Sequence, residues 1–132
     1  MNENNSTTVN KTVLIVEDEK PMAKALNLKV QGAGFSTIIA NNGQSALDIL
    51  DNNKIDLVLL DLIIPQIDGF SVLKEIVKRK INIPTITISN LCQKQDMDLA
   101  KKLGASHYCI KTDTTLVEIV NKVKECLNEA KC

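Results

Sequence analysis

From Lys11 onward, short runs of β-branched or aliphatic residues alternate with longer segments in which apolar positions recur every three or four residues. That alternation predicts βαβ units built on a parallel sheet. The runs place strands at Val13 to Glu17, Ser36 to Ala40, Leu57 to Asp61, Thr85 to Ser89 and His107 to Ile110. Two of them, Val13-Leu14-Ile15-Val16 and Leu57-Val58-Leu59-Leu60, are apolar throughout, the pattern of central strands covered by helices on both faces. A first helix starts near Lys20, with Pro21 in a first turn that does not need its missing donor, and stops around Gly32 and Gly34. A second, capped by Asn42, buries Ala46, Leu47 and Leu50, and a third runs from about Phe70 to Arg79 with Val72, Leu73 and Ile76 inward. A fourth covers about Gln93 to Leu103. The last carries Leu116, Ile119, Val120, Val123 and Leu127 in one stripe, with Thr115 and Glu118 at capping-box spacing. Five strands and five helices in strict alternation predict an α/β fold: a doubly wound five-stranded parallel sheet inside a three-layer αβα sandwich.

Composition narrows the picture without changing it. A chain of 132 residues with 44% apolar content fits one domain with an aliphatic core. Residues 1–10, MNENNSTTVN, nearly lack core-forming side chains and read as a disordered polar tail, which leaves 11–130 for the folded domain. Because the chain ends soon after the fifth helix, no output domain is expected. Sixteen Lys+Arg balance sixteen Asp+Glu, and aromatics make up 2%, which argues against direct nucleic-acid binding. No stretch is long and apolar enough for a membrane span or a signal peptide, so the expected location is cytoplasmic. Cys92, Cys109, Cys126 and Cys132 match neither a C-x-x-C site nor a compact disulfide framework, and read as packing residues or free thiols. His107, the only histidine, reads as a strand-end surface residue.

The chemistry is expected at the carboxyl ends of the strands, where open parallel sheets hold ligands at the point of strand-order reversal. The first strand ends in Glu17-Asp18-Glu19, the third in Asp61, the fourth in Ser89-Asn90 and the fifth in Lys111. In the flavodoxin-like order 2-1-3-4-5 the first and third strands are neighbours, so Glu17, Asp18 and Asp61 should converge. Two such charges about 4 Å apart repel by about 4 kcal/mol at an effective dielectric near 20. Either they take up protons or a cation sits between them, and an all-oxygen site with few protein ligands suits Mg²⁺. With Lys111 supplying a positive charge and Ser89 a hydroxyl, the group can stabilise a phosphoryl on Asp61 as nucleophile. Taken singly, each residue has a plainer reading as a cap or a solvated strand end, and Glu17-Asp18-Glu19 could simply favour the start of the first helix.

Over about residues 11 to 130 the sequence resembles the receiver domain of bacterial two-component response regulators. The segments that carry the resemblance are Lys11 to Glu19, Asp56 to Gly69 with its Pro65 and Asp68-Gly69, Pro84 to Ser89, and Gly104 to Lys111. The resemblance implies that Asp61 takes a phosphoryl group from a phosphohistidine on a histidine kinase or histidine phosphotransfer protein. Glu17, Asp18 and Asp61 would hold Mg²⁺ with the backbone carbonyl of Ile63. Ser89 and Tyr108 would act as the switch pair that alters the face made by the fourth helix, fifth strand and fifth helix. Pro21 and Met22 lie where the family docks its phosphodonor helices. The implied protein is no enzyme on a separate substrate: it is a phosphoacceptor that supplies groups for its own phosphorylation and hydrolysis. It would act on a downstream protein target as a monomer, with phosphorylation-dependent dimerisation left open.

Two departures stand out. The family usually has Pro after the catalytic Lys, often in a cis bond, where this chain has Thr112; either the bond is trans and the loop rerouted, or strain is retained. Asn90 stands where a small residue is common. Ile63 and Leu91, two positions past Asp61 and Ser89, should flank the phosphorylated carboxylate and hinder the attacking water. The alternative reading is a phosphorylation-independent interaction module of pseudo-receiver type.

Overall fold

Strands β1 (Thr12–Val16) and β3 (Leu57–Asp61) lie side by side at the centre of the sheet, and their alternate residues feed two separate cores. Val13, Ile15, Leu57 and Leu59 enter one cluster, while Leu14, Val16, Val58 and Leu60 enter the other. Both faces are therefore apolar, which is why these strands show no polar alternation in sequence. This computed structural model describes residues 11–128, so the expected tail at 1–10 and the last positions of the expected domain lie outside the described residues.

The remaining elements are α1 (Lys20–Gly32), β2 (Ser36–Ala40), α2 (Gly43–Asn52), α3 (Gly69–Lys78), β4 (Thr85–Ser89), α4 (Lys94–Lys102), β5 (His107–Ile110) and α5 (Leu116–Asn128). All five strands are parallel in the order β2-β1-β3-β4-β5, the doubly wound arrangement expected. Leu26 and Val30 of α1 and Ile119, Val120 and Val123 of α5 close one face; Ala46, Leu47, Leu50, Val72, Leu73, Ile76 and Ala100 from α2, α3 and α4 close the other.

Local chemistry sets the element ends. Asn42 caps α2 by accepting from the Ser45 amide at 2.7 Å, and Asp68 caps α3 through the Ser71 amide at 3.1 Å, which starts α3 one residue before the expected Phe70. At α5 the capping box forms reciprocally: the Thr115 amide donates to Glu118 at 2.8 Å and the Glu118 amide to Thr115 Oγ1 at 3.1 Å. β1 runs one residue earlier than the sequence suggested, so Glu17 falls just beyond it, although its amide still donates to Ala40 at 3.0 Å.

One open alternative closes and two expectations change. No peptide bond is cis among the described residues, so the bond from Lys111 to Thr112 is trans; the chain turns at once into a 3₁₀ helix, Lys111–Asp113, that the sequence reading did not foresee. Cys92 and Cys109 are free thiols, but Cys126 is disulfide-bonded. His107 is only half-exposed, and its Nε2 is buried without a hydrogen-bond partner, so it is not a simple surface residue.

Candidate functional site

The carboxyl ends of β1, β3 and β5 converge as the strand order requires. Asp61, the last residue of β3, is 3% exposed, and Glu17, one past β1, is 1% exposed. Asp18 follows on the solvent side, and oxygens of Glu17, Asp18 and Asp61 come within 4.8 Å of one another. Lys111 arrives just after β5 and places its Nζ 2.8 Å from Asp61 Oδ2, 2.9 Å from Glu17 Oε1 and 3.0 Å from Glu19 Oε1. Asp61 is fixed from its other side as well, because the Ile63 amide donates to Oδ1 at 3.0 Å.

Charge and burial oppose each other here. Burial is the leading influence on Glu17 and pushes its carboxyl above the ordinary range, with Asp61 adding to the shift and Lys111 and the Glu19 amide opposing it. For Lys111, burial alone would lower the ammonium pKa, but its hydrogen bonds to neighbouring carboxylates outweigh that and raise it, so the lysine stays charged. Glu17 Oε1 is buried without an aligned hydrogen-bond donor: Lys111 approaches it as a charge, not along a hydrogen-bond direction. An orphaned buried carboxylate oxygen beside two further carboxylates is a donor set for a hard divalent cation, so the residues fit Mg²⁺.

In front of Asp61 lies a pocket of about 210 Å³ lined by Asp18, Glu19, Asp61, Ile63, Asn90 and Lys111. A larger cavity of about 590 Å³, walled by Lys11, Asp56, Pro84 and Cys126 among others, opens at the amino ends of the strands, away from the carboxylates. Doubly wound sheets hold ligands at the carboxyl ends, so the smaller pocket is the candidate site.

The other expected residues divide. Ser89 is fully buried, and its hydroxyl accepts from the Leu91 amide at 3.2 Å. Tyr108 packs against the cluster under α2, α3 and α4 and donates to the Leu91 carbonyl at 2.7 Å; burial pushes its phenol pKa up. The switch pair thus meets through the main chain of Leu91. The Leu91 side chain packs on that same cluster instead of lining the pocket, so the expectation that it flanks Asp61 is corrected; Ile63, 56% exposed, does line it. Of the docking pair, Pro21 is exposed in the first turn of α1, whereas Met22 packs partly against the core between α1 and α5.

Two contributors were not singled out from the sequence: Glu19 as a partner of Lys111, and the Leu91 backbone as a hub. Glu19 was visible beside residues already chosen, and Asn90, noted in the sequence as a departure beside Ser89, does line the pocket. A main-chain hub leaves no sequence signal, since every residue carries an amide and a carbonyl.

A family model described as the response regulator receiver domain matches residues 13–124. The alkaline phosphatase synthesis transcriptional regulatory protein PhoP of Bacillus subtilis (strain 168) is 31% identical over 103 residues, 78% of this chain and 43% of that protein. The probable transcriptional regulator ycf27 of Cyanidium caldarium is 37% identical over 99 residues, 75% of this chain and 39% of its own length. This chain therefore aligns with less than half of either relative. Among solved structures, the receiver domain of the Francisella response regulator 1452 superposes with a TM-score of 0.87 at 30% identity, covering 92% of this chain and 100% of that one.

Proposed function

This chain belongs to the response regulator receiver domain family, and from that premise we propose that Asp61 accepts a phosphoryl group from a phosphohistidine on a histidine kinase or histidine phosphotransfer protein. The observation that carries this reading is the hold on Asp61: a buried carboxylate with one oxygen on the Ile63 amide and the other on Lys111, opening onto a charged pocket. Two fixed oxygens present the nucleophile in one orientation. In the transfer a bond forms between a carboxylate oxygen and phosphorus as the P–N bond to the donor imidazole breaks, and the electron pair of that bond stays on the imidazole. The Lys111 ammonium stands where it can balance charge on the phosphoryl oxygens. Glu17, Asp18 and Asp61, with the carbonyl of Ile63, would hold Mg²⁺, which supplies further charge neutralisation when bound. Ile63 and Asn90 wall the pocket and limit the approach of water.

The output proposed is the face made by α4, β5 and α5. Ser89 would leave the Leu91 amide for a phosphoryl oxygen, and Leu91 also anchors Tyr108, so one rearrangement in the β4–α4 loop reaches β5. Exposed Pro21, close in sequence to Asp18, is a docking contact for the phosphodonor.

Incubation of the chain with phosphoramidate and Mg²⁺, read by intact mass, tests the reading. A single phosphoryl adduct that Asp61→Asn abolishes is expected. Protein that stays unmodified would favour the phosphorylation-independent interaction module, and an adduct that survives Asp61→Asn would remove Asp61 as acceptor.

A further inference from the structure

Lys111 divides its ammonium among three carboxylates of very different burial. Its ammonium makes aligned bonds to Asp61 Oδ2 at 2.8 Å and to Glu19 Oε1 at 3.0 Å. Glu17 Oε1, 2.9 Å away on a side chain that is 0% exposed, receives no aligned donor. The Glu19 side chain is 63% exposed and can be hydrated instead. A buried acceptor without a donor carries a larger penalty than an exposed ion pair recovers. Of the three carboxylates around the ammonium, Glu19 is therefore the one that can be given up at least cost.

Glu19 is unusual in a second way. It is the N-cap residue of α1, yet its side chain makes no capping hydrogen bond. A carboxylate is favoured at that helix start by the exposed amides and the dipole. Its side chain turns to Lys111 instead, and both residues line the pocket in front of Asp61. Since Glu17 and Asp61 hold the buried side of the ammonium, Glu19 holds the side that faces the pocket.

We infer that Glu19 is a positioning residue that occupies the pocket-facing side of Lys111 in the resting protein and yields it to phosphoryl oxygens, so that its release governs how readily Asp61 is phosphorylated. The inference rests on the reading of Asp61 as phosphoacceptor. Release of Glu19 returns its carboxylate to solvent and to the positive end of α1. Release of Glu17 or Asp61 would instead leave a buried charge without its counterion, so the exchange falls on Glu19.

The test compares Glu19→Ala with Glu19→Asp in the full chain at saturating Mg²⁺. Aspartate keeps the charge and is a preferred N-cap, but it is one methylene too short to hold Lys111. Two readouts are taken: the affinity for beryllofluoride, a phosphoryl stand-in, by ¹⁹F NMR, and the phosphorylation rate from phosphoramidate. Both variants are expected to raise both quantities by about two- to fivefold, the range an exposed ion pair supplies. If only Glu19→Ala gains, the effect is the field of a nearby charge, and the inference falls. A loss in both variants would make Glu19 an anchor for the lysine and overturn it equally. Adduct on the unaltered chain with both variants unchanged sinks this inference alone, whereas no adduct on the unaltered chain sinks the assignment of Asp61 and this inference with it.

Discussion

Ile63 and Leu91 stand at matching offsets, two residues past Asp61 and Ser89, and the fold treats them oppositely. Ile63 is 56% exposed on the pocket wall, while Leu91 contributes its amide and carbonyl to Ser89 and Tyr108 and turns its side chain to the core. Of these two, only Ile63 can then shield a phosphorylated Asp61 from water. Ile63→Gln is expected to speed loss of the phosphoryl group severalfold, followed by the decay of intact-mass adduct, and Leu91→Gln to lower stability by about 1 to 3 kcal/mol in a urea titration. An equal acceleration by both would show that distance along the chain, not pocket geometry, decides. The cysteines separate by the same logic. Burial pushes the Cys109 thiol up from its ordinary pKa, so at neutral pH less of the nucleophilic thiolate is present and solvent cannot reach it, whereas Cys92 is exposed. Native alkylation followed by peptide mapping is expected to mark Cys92 and to reach Cys109 only on unfolding.

At the scale of elements, the helix starts decide how firmly the loop after β3 is held. Asn42→Ala and Asp68→Ala each remove a side-chain acceptor at a helix N-terminus and are expected to lower stability by about 1 kcal/mol. Gly69 is a harder constraint: a Cβ there would overlap the backbone of Asp61 and Leu62, and the Gly69 amide already donates to the Leu62 carbonyl at 3.0 Å. Gly69→Ala is expected to cost about 1 to 3 kcal/mol by overpacking and, because that strain falls on the segment carrying Ile63, to slow phosphorylation of Asp61 as well. Asn42→Ala should leave that rate unchanged; urea midpoints and phosphorylation rates measured on the same samples separate the two effects. Much of this scale was legible in the sequence. Asn42, the Thr115-Glu118 box and the continuous apolar runs name their elements because each is a local signal. The turn at Lys111–Asp113 was not legible, because no residue in Lys111-Thr112-Asp113 announces a 3₁₀ helix. The disulfide at Cys126 was missed for a related reason, since spacing alone does not say which thiols meet.

For the molecule as a whole, the sheet at the centre of both cores also forces the acids together. Register fixes Val16 beside Leu60, so the residues that follow, Glu17 and Asp61, cannot separate without breaking the central pairing of two strands buried on both faces. Lys111 offsets part of the repulsion, yet Glu17 remains short of a hydrogen-bond donor. The fold therefore carries an electrostatic penalty that a divalent ion would relieve. Linkage turns this into a measurement: an ion that binds only the folded state stabilises it by about 2.7 kcal/mol at a concentration one hundred times its dissociation constant. Mg²⁺ is expected to shift the urea midpoint upward by that order, and EDTA to reverse the shift. Asp18→Asn sharpens the expectation, because Asp18 is exposed and removing its charge leaves the core untouched. Without Mg²⁺ the variant should match the unaltered chain or exceed it by up to about 1 kcal/mol, as one repulsion is gone. With Mg²⁺ it should lose most of the gain. The two stability curves must therefore cross or diverge as Mg²⁺ rises; parallel curves would mean that the ion stabilises the protein elsewhere and that crowding of the strand tips is not what it relieves.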